Sequence, residues 1–163
     1  MSIRAIILSS AALTFVAATD SPRLDAAEQT SATPVVKNLS EQKLERRPGL
    51  PSCLTLAVVS GDPSKGSSVI EARAKSGCRV PWHWHSFNEH IMVVSGVGKV
   101  EMKDATPVTV RSGAYAMLPA HHVHQLTCTT SCTIFLYADG IRDMHYVDAS
   151  GTEIPAIEAL NKK

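Results

Sequence analysis

A chain of 163 residues is long enough for one domain with a proper core and too short for two. Its hydrophobic content of 44%, with 5% aromatic residues, indicates a globular protein whose core is mainly aliphatic. A formal net charge of +1, with no basic stripe and no acidic tail, argues against nucleic acid and against a charged membrane surface as the main partner.

The first 18 residues have the pattern of a secretory signal peptide. Arg4 provides one positive charge, and the 14 residues from Ala5 to Ala18 carry none. Val16 and Ala18 suit positions −3 and −1 of a cleavage site. The alternative is a membrane anchor, but a helix that spans a bilayer needs about 20 apolar residues. We therefore expect an exported protein, periplasmic or secreted, with no stable membrane anchor.

Residues 19–48 form a polar arm with three prolines and little periodicity, which predicts a flexible linker. Val35 and Val36 are a candidate edge strand at its end. Residues 49–150 are short apolar runs broken by Gly, Pro, Asp and Ser, as expected for a β-domain. Residues 151–163 remain as a C-terminal tail, with one short helical stretch at Ile154–Leu160.

Short strands fill the predicted domain, and no long helical stretch interrupts them. This pattern is typical of a β-sandwich or barrel, so the chain is predicted to be all-β. The predicted strands are Cys53–Val59, Ser68–Ala74, Val80–His85, His90–Val94, Gly98–Met102, Pro107–Val110, Tyr115–Leu118, His124–Thr127, Thr133–Tyr137 and Met144–Val147.

Four cysteines in a chain with an export signal make disulfides possible. Cys128 and Cys132 flank a short polar stretch between two β-rich runs and could face each other across a hairpin. Cys53 and Cys78 would then be a second pair or free thiols. Buried unpaired cysteines are an equal alternative, and the sequence does not choose between them.

Four side chains can meet at one metal ion. His83 and His85 are two residues apart, so on a β-strand they share a face. Glu89 stays in phase if the chain remains extended or turns once and resumes, and His124 is the fourth candidate ligand. Three imidazole nitrogens and one carboxylate oxygen suit one divalent transition metal (Mn, Fe, Ni, Cu or Zn) and leave room for water or a substrate.

Residues 77–96 contain the pattern Gly-x5-His-x-His-x3-Glu-x6-Gly, and residues 113–124 contain Gly-x5-Pro-x-His-x2-His. These two segments resemble the sequence motifs of the cupins, over a region of about Leu50 to Asp148. The short gap between the motifs is similar to that of small single-domain exported cupins of the cupin type-2 kind. Two positions depart from the family pattern. His121 stands where the family has a glycine that commonly takes positive φ, and Cys128 stands where it often has asparagine. The matching positions are Gly77, His83, His85, Glu89 and Gly96 in the first motif, and Gly113, Pro119 and His124 in the second.

The resemblance implies a single jelly-roll β-barrel that holds one divalent metal through His83, His85, Glu89 and His124. Cupins with this ligand set include dioxygenases, isomerases and decarboxylases, so the resemblance does not select a reaction. We favour a dioxygenase-type oxidoreductase acting on a small organic substrate, with Glu89 as the catalytic residue because a carboxylate ligand can shift and accept a proton. The alternative is a non-catalytic module that binds a metal or small ligand for sensing or sequestration. A homodimer is expected by analogy.

Strand phase also predicts where the neighbouring side chains lie. One of His121 and His122 could reach the mouth of the barrel, whereas His145 is expected to be structural or exposed. Trp82, Trp84 and His90 are expected to face away from the metal, Ile91 and Val93 to line the cavity, and Phe87, Met117 and Leu126 are weaker candidates for that lining.

Overall fold

Two antiparallel sheets of five strands each form the domain in the computed structural model, which describes residues 34–161. The predicted signal peptide of residues 1–18 and about half of the predicted arm of residues 19–48 lie outside the described residues. The elements are β1 (Leu54–Gly61), β2 (Ser68–Ala74), β3 (Arg79–Trp84), β4 (Glu89–Ser95), β5 (Val97–Met102), β6 (Val108–Arg111), β7 (Tyr115–Leu118), β8 (His124–Cys128), β9 (Cys132–Ala138), β10 (His145–Tyr146) and α1 (Ala156–Asn161).

The strand order is that of a jelly roll. One sheet runs β1-β2-β9-β4-β7 and the other runs β10-β3-β8-β5-β6. The pairs are nested along the chain, since β2 pairs with β9, β3 with β8 and β4 with β7, around the β5–β6 hairpin. The predicted all-β jelly roll is therefore confirmed, and each predicted strand is present with its ends within two residues of the expected ones.

Alternation of side chains along the strands builds the core between the two sheets. In β4 the buried positions are Glu89, Ile91 and Val93, while the residues between them are partly exposed. The facing sheet contributes Val100 from β5 in the same way. Because inward-facing residues of both sheets are buried, the aliphatic core predicted from composition lies between the sheets.

The expected edge strand at Val35 and Val36 is wrong. Both residues lie outside any strand and are exposed. The free edge of β1 instead pairs with Glu45, which exchanges two backbone hydrogen bonds of 2.8 and 2.9 Å with Leu56. Because Glu45 satisfies the backbone groups of Leu56 on this edge, Val35 and Val36 do not pair with β1.

The cysteines divide into one disulfide and two thiols. Cys53 and Cys78 are joined, whereas Cys128 and Cys132 are free and buried. All four lie in or against the hydrophobic core, and the backbone of Cys78 accepts a hydrogen bond from Cys128 at 2.8 Å. Burial and the neighbouring Cys132 thiol raise the pKa of Cys128, so this thiol is protonated and unreactive at neutral pH.

The C-terminal segment packs against the barrel. Val147 and Glu153 form an isolated bridge, and Ala159 of α1 is buried. Tyr146 of β10 donates a hydrogen bond of 2.9 Å to the carbonyl of Gly49, which joins the two ends of the domain. From Val35 onward the described chain forms one compact unit. Among the described residues, no helix has the length and apolar character needed to cross a membrane.

We predict that the Cys53–Cys78 disulfide stabilises the barrel by about 2–4 kcal/mol, because it closes a loop with a sequence separation of 25 residues. The double variant Cys53→Ser with Cys78→Ser should lose this amount in urea unfolding. A reducing agent should destabilise the wild type and leave the double variant unchanged. A wild type whose unfolding midpoint does not respond to complete reduction contradicts the prediction.

Candidate metal centre

The structure brings the four predicted ligands together. His83, His85, Glu89 and His124 are buried, and one potential ligand atom from each lies within 4.8 Å of the others. His83 on β3 is directly opposite His124 on β8. His85 follows the end of β3, and Glu89 begins β4 in the other sheet. The chain therefore turns once between His85 and Glu89, so that the group bridges the two sheets.

Hydrogen bonds to backbone carbonyls orient all three imidazoles. Nδ1 of His83 lies 2.6 Å from the carbonyl oxygen of Pro81, Nδ1 of His85 lies 2.7 Å from that of Asp143, and Nδ1 of His124 lies 2.8 Å from that of His122. A carbonyl can only accept, so each Nδ1 carries the proton and each Nε2 of a neutral ring is left with a free lone pair.

A bound cation would satisfy these Nε2 lone pairs. Nε2 of His85 and of His124 are buried, with no hydrogen-bond partner in the described part of the chain. Oε2 of Glu89 lies 3.7 Å from the first and 3.6 Å from the second. Two donors bound to a common ion at about 2.1 Å are about 3 to 4 Å apart, so this donor set fits a divalent metal.

Electrostatics keep the donors in the protonation states that a metal binds. Burial lowers the pKa of His83 well below 6.5, with the neighbouring imidazoles of His124 and His85 adding to the effect, and burial likewise lowers the pKa of His85. Burial alone would raise the pKa of Glu89. The opposing contacts with His124, His85 and Arg142 lower the pKa of Glu89 to about 2. Neutral imidazoles beside an ionised carboxylate are the form that coordinates transition metals.

Two side chains fix the turn that separates His85 from Glu89. The backbone nitrogen of Ser86 donates to Oδ1 of Asp143 at 2.9 Å, and the Ser86 hydroxyl donates to Oδ2. Asn88 donates to the Asp139 carboxylate from its backbone at 2.9 Å and from its side chain at 2.6 Å. The β9–β10 loop thus holds the first motif in place.

An aliphatic cavity of about 270 Å³ opens beside the four side chains. Its walls come from both sheets, and Ile91 and Leu126 line it as predicted. Val93 and Phe87 are not among the described lining residues, contrary to expectation: Val93 lies in the hydrophobic core, and Phe87 packs against the His85 ring at a centroid distance of 4.6 Å. The expectation for Met117 is wrong, because Ala116 and Leu118 are the inward positions of β7 and Met117 is 48% exposed on the outer face.

His90 and Trp84 face away from the four ligands, as predicted. His90 faces outward, where its Nδ1 lies 2.7 Å from the Tyr115 hydroxyl. Trp84 also faces outward and packs against His145 and His121, with ring centroids 3.9 and 4.6 Å apart. His121 has φ +62°, which is the conformation expected where the family pattern has glycine. Both residues contact the ligand histidines through their backbones: the His121 nitrogen donates to the carbonyl of His85 at 2.7 Å, and the carbonyl of His122 lies 2.8 Å from Nδ1 of His124.

Arg142 and Asp143 are parts of the site that the sequence did not predict. Nη1 of Arg142 lies 3.6 Å from Oε1 of Glu89, and Nη2 donates to the carbonyl of Leu136 at 3.1 Å. The guanidinium carbon lies 5.3 Å from the centre of the Phe87 ring. No motif spacing signals these residues. The only hint is a polar stretch directly after the last long strand, at the end of the barrel that carries the ligands.

Comparison with known proteins agrees with this architecture. A family model described as "Cupin domain" matches residues 70–137. No curated protein is significantly similar in sequence.

Three solved structures share the fold. The polyketide cyclase RemF from Streptomyces resistomycificus is 18% identical, with a TM-score of 0.62 over 71% of this chain and 87% of that one. An RmlC-like cupin from Ralstonia eutropha is 16% identical, with a TM-score of 0.58 over 72% and 74%. Another from Shewanella frigidimarina is 16% identical, with a TM-score of 0.56 over 66% and 91%.

We predict that the metal-free protein loses stability as the pH falls below about 6.5. The folded chain has lowered pKa values at His83 and His85, so the unfolded chain binds protons that the folded chain does not. Each histidine can contribute up to about 1.4 kcal/mol per pH unit between its folded and unfolded pKa values.

Urea unfolding after metal removal, from about pH 8 to about pH 5, measures this slope, and the window lies above the range in which Glu89 titrates. His83→Asn should flatten the profile, whereas the outward-facing His90→Asn should not. An unfolding free energy that stays constant over this window contradicts the assigned protonation states.

Proposed function

We propose that this chain is an exported, metal-dependent enzyme of the cupin superfamily that acts on a small organic substrate. The observation that carries the proposal is the set of three imidazoles whose Nδ1 atoms are bonded to carbonyls and whose Nε2 atoms converge with Glu89 beside a cavity. A purely structural cluster would leave Nε2 of His85 and of His124 buried without partners in the described chain, which is unfavourable.

In this proposal His83, His85 and His124 hold one divalent ion, and Glu89 is the fourth ligand through Oε2. When bound, the metal supplies activation of O₂, of a water or of an enolisable oxygen of the substrate, depending on its identity. Glu89 is the proposed catalytic residue. Because it is ionised, it can accept a proton from a substrate, and Arg142 lies beside its other oxygen, Oε1.

Among the reactions open to such a site we favour a dioxygenase-type oxidation. The cavity next to the ligands is lined mainly by aliphatic side chains. Such a cavity excludes bulk water and admits an apolar substrate together with O₂, which is itself apolar.

A non-catalytic metal- or ligand-binding module is the second candidate, and one observation favours it. Apart from Glu89, the carboxylate that lines the cavity is Asp143. It is already engaged by Ser86 and by His145, whose Nε2 lies 3.3 Å from Oδ2. Among the described lining residues, the proton-transfer groups are therefore the ligands themselves.

We also propose that the protein is periplasmic or secreted and works as a homodimer. The signal-peptide pattern of residues 1–18 supports export, and the Cys53–Cys78 disulfide is compatible with an oxidising compartment. The homodimer rests on analogy with small cupins.

We expect the purified protein to carry about one divalent metal ion per chain, because the four donors form one complete ligand set. His83→Ala and Glu89→Ala should lower the metal content measured by mass spectrometry after growth with Mn, Fe, Ni and Zn supplied. His90→Ala is the matched control, since His90 follows Glu89 in β4 and faces outward. Equal absence of metal from the wild type and from both ligand variants would reject the site.

Oxygen consumption distinguishes the enzyme from the binding module. Protein loaded separately with Fe, Mn, Ni, Cu or Zn should consume O₂ with at least one member of a panel of phenols, diketones and thiols. Glu89→Ala, corrected for its metal content, should lower that rate by about 100-fold or more if Glu89 transfers a proton. A fully metal-loaded protein that consumes no O₂ above the metal-free blank would remove the dioxygenase proposal and favour the module.

A further inference from the structure

A largely buried cation lines the cavity beside the metal group. Arg142 lines this cavity together with Glu89, and its side chain is 15% exposed. Its backbone nitrogen donates to the carbonyl of Pro63 at 2.9 Å, which fastens the β9–β10 loop to the β1–β2 turn. The position of the guanidinium is therefore set by the fold and not by solvent.

Few of the hydrogen-bond donors of Arg142 are used. A guanidinium has five N–H donors, and in the described chain the bond from Nη2 to Leu136 is the one within hydrogen-bond distance. Nη1 lies 3.6 Å from Glu89, beyond an ordinary hydrogen bond, and Nε is buried without a partner among the described residues. Burying a guanidinium with so few bonds is unfavourable unless another acceptor completes them.

Contact with Phe87 orients the guanidinium. Its carbon lies 5.3 Å from the centre of the Phe87 ring, close enough for a cation–π contact. A guanidinium held by such a contact keeps its N–H groups for acceptors elsewhere, and a carboxylate can accept two of them at once.

The charge around the cavity also favours an anion. The carboxylates lining it are Glu89 and Asp143, and the nearest opposing cation is Arg142. With a divalent ion on the four ligands, positive charge outweighs negative charge at this end of the cavity. The walls beyond are aliphatic, with Leu54, Leu56 and Val58 on one side and Leu126 on the other.

We propose that the substrate is a small carboxylate with an apolar body, and that Arg142 is the residue that recognises its carboxylate. The apolar body occupies the aliphatic part of the cavity, and the acidic head lies between Arg142 and the metal position. This inference rests on the proposed function, since it names the substrate class of the same site.

Straight-chain alkanoates from butanoate to decanoate test the proposal, titrated by calorimetry into Zn-loaded and metal-free full-length protein. Zn is redox-inert and separates binding from turnover. One member of the series should bind the wild type at least 10-fold more tightly than its amide, because an amide cannot form the charge-assisted pair. Arg142→Met should weaken alkanoate binding by about 10- to 100-fold.

Three further arginine variants test whether the effect belongs to Arg142. Arg142→Lys keeps the charge but not the planar donor pair, so its affinity should lie between those of the wild type and Arg142→Met. Arg111→Met is the matched control on an exposed position of β6 and should bind like the wild type. Arg47 also lines the cavity but is half exposed and 3.5 Å from Glu45. Loss of binding in Arg47→Met with retention in Arg142→Met would overturn the assignment.

The outcomes separate this inference from the proposed function. If the Arg142→Met variant folds, binds Zn and binds alkanoates with wild-type affinity, the inference is overturned and the metal site is left intact. Equal binding of acid and amide by the wild type has the same meaning. Absence of alkanoate binding in both the Zn-loaded and the metal-free wild type also overturns it. A wild type that binds no metal refutes the proposed function, whereas Arg142-dependent alkanoate binding by the metal-free protein still supports the recognition role.

Discussion

Three hydrogen bonds from imidazole Nδ1 atoms to backbone carbonyls determine the chemistry of this barrel. They fix the tautomer of His83, His85 and His124, and they direct the opposite nitrogens toward one point. Two of the accepting carbonyls, those of Pro81 and His122, are two residues before the histidines that they orient, so the local backbone supplies them. The third, from Asp143, is supplied by the β9–β10 loop, so that His85 depends on tertiary structure for its orientation.

The two sheets contribute unequally to the site. The sheet with β3 and β8 provides the histidines, in a register that places His83 opposite His124, while the other sheet provides Glu89. The carboxylate thus faces the imidazoles across the interior, and its low pKa follows from that position. The cavity lies in the same space between the sheets, so a small molecule bound there would share the apolar environment of the four side chains.

Much of the fold could be predicted because it depends on local periodicity, and the four ligands could be predicted because two spaced motifs carry them. Alternation located the strands, and the two-residue spacing of His83 and His85 placed both on one face. Arg142 could not be predicted, because it reaches Glu89 through a loop more than 50 residues further along the chain and follows no period. The prediction that Met117 lines the cavity was wrong because its strand is too short to establish which residues face inward. The edge strand predicted at Val35 was wrong because Glu45 pairs with β1 instead.

The nested strand pairing has a consequence for the order of folding events. His124 and the loop that carries Arg142 and Asp143 lie in the C-terminal third of the chain, whereas the partners that they contact lie near residue 85. Contacts of such long sequence separation form late and slowly. A complete ligand set therefore exists only after almost the entire chain is present and β9 has paired. An ion bound by these four side chains would therefore be acquired where folding is completed, and the metals available there would decide which one is bound.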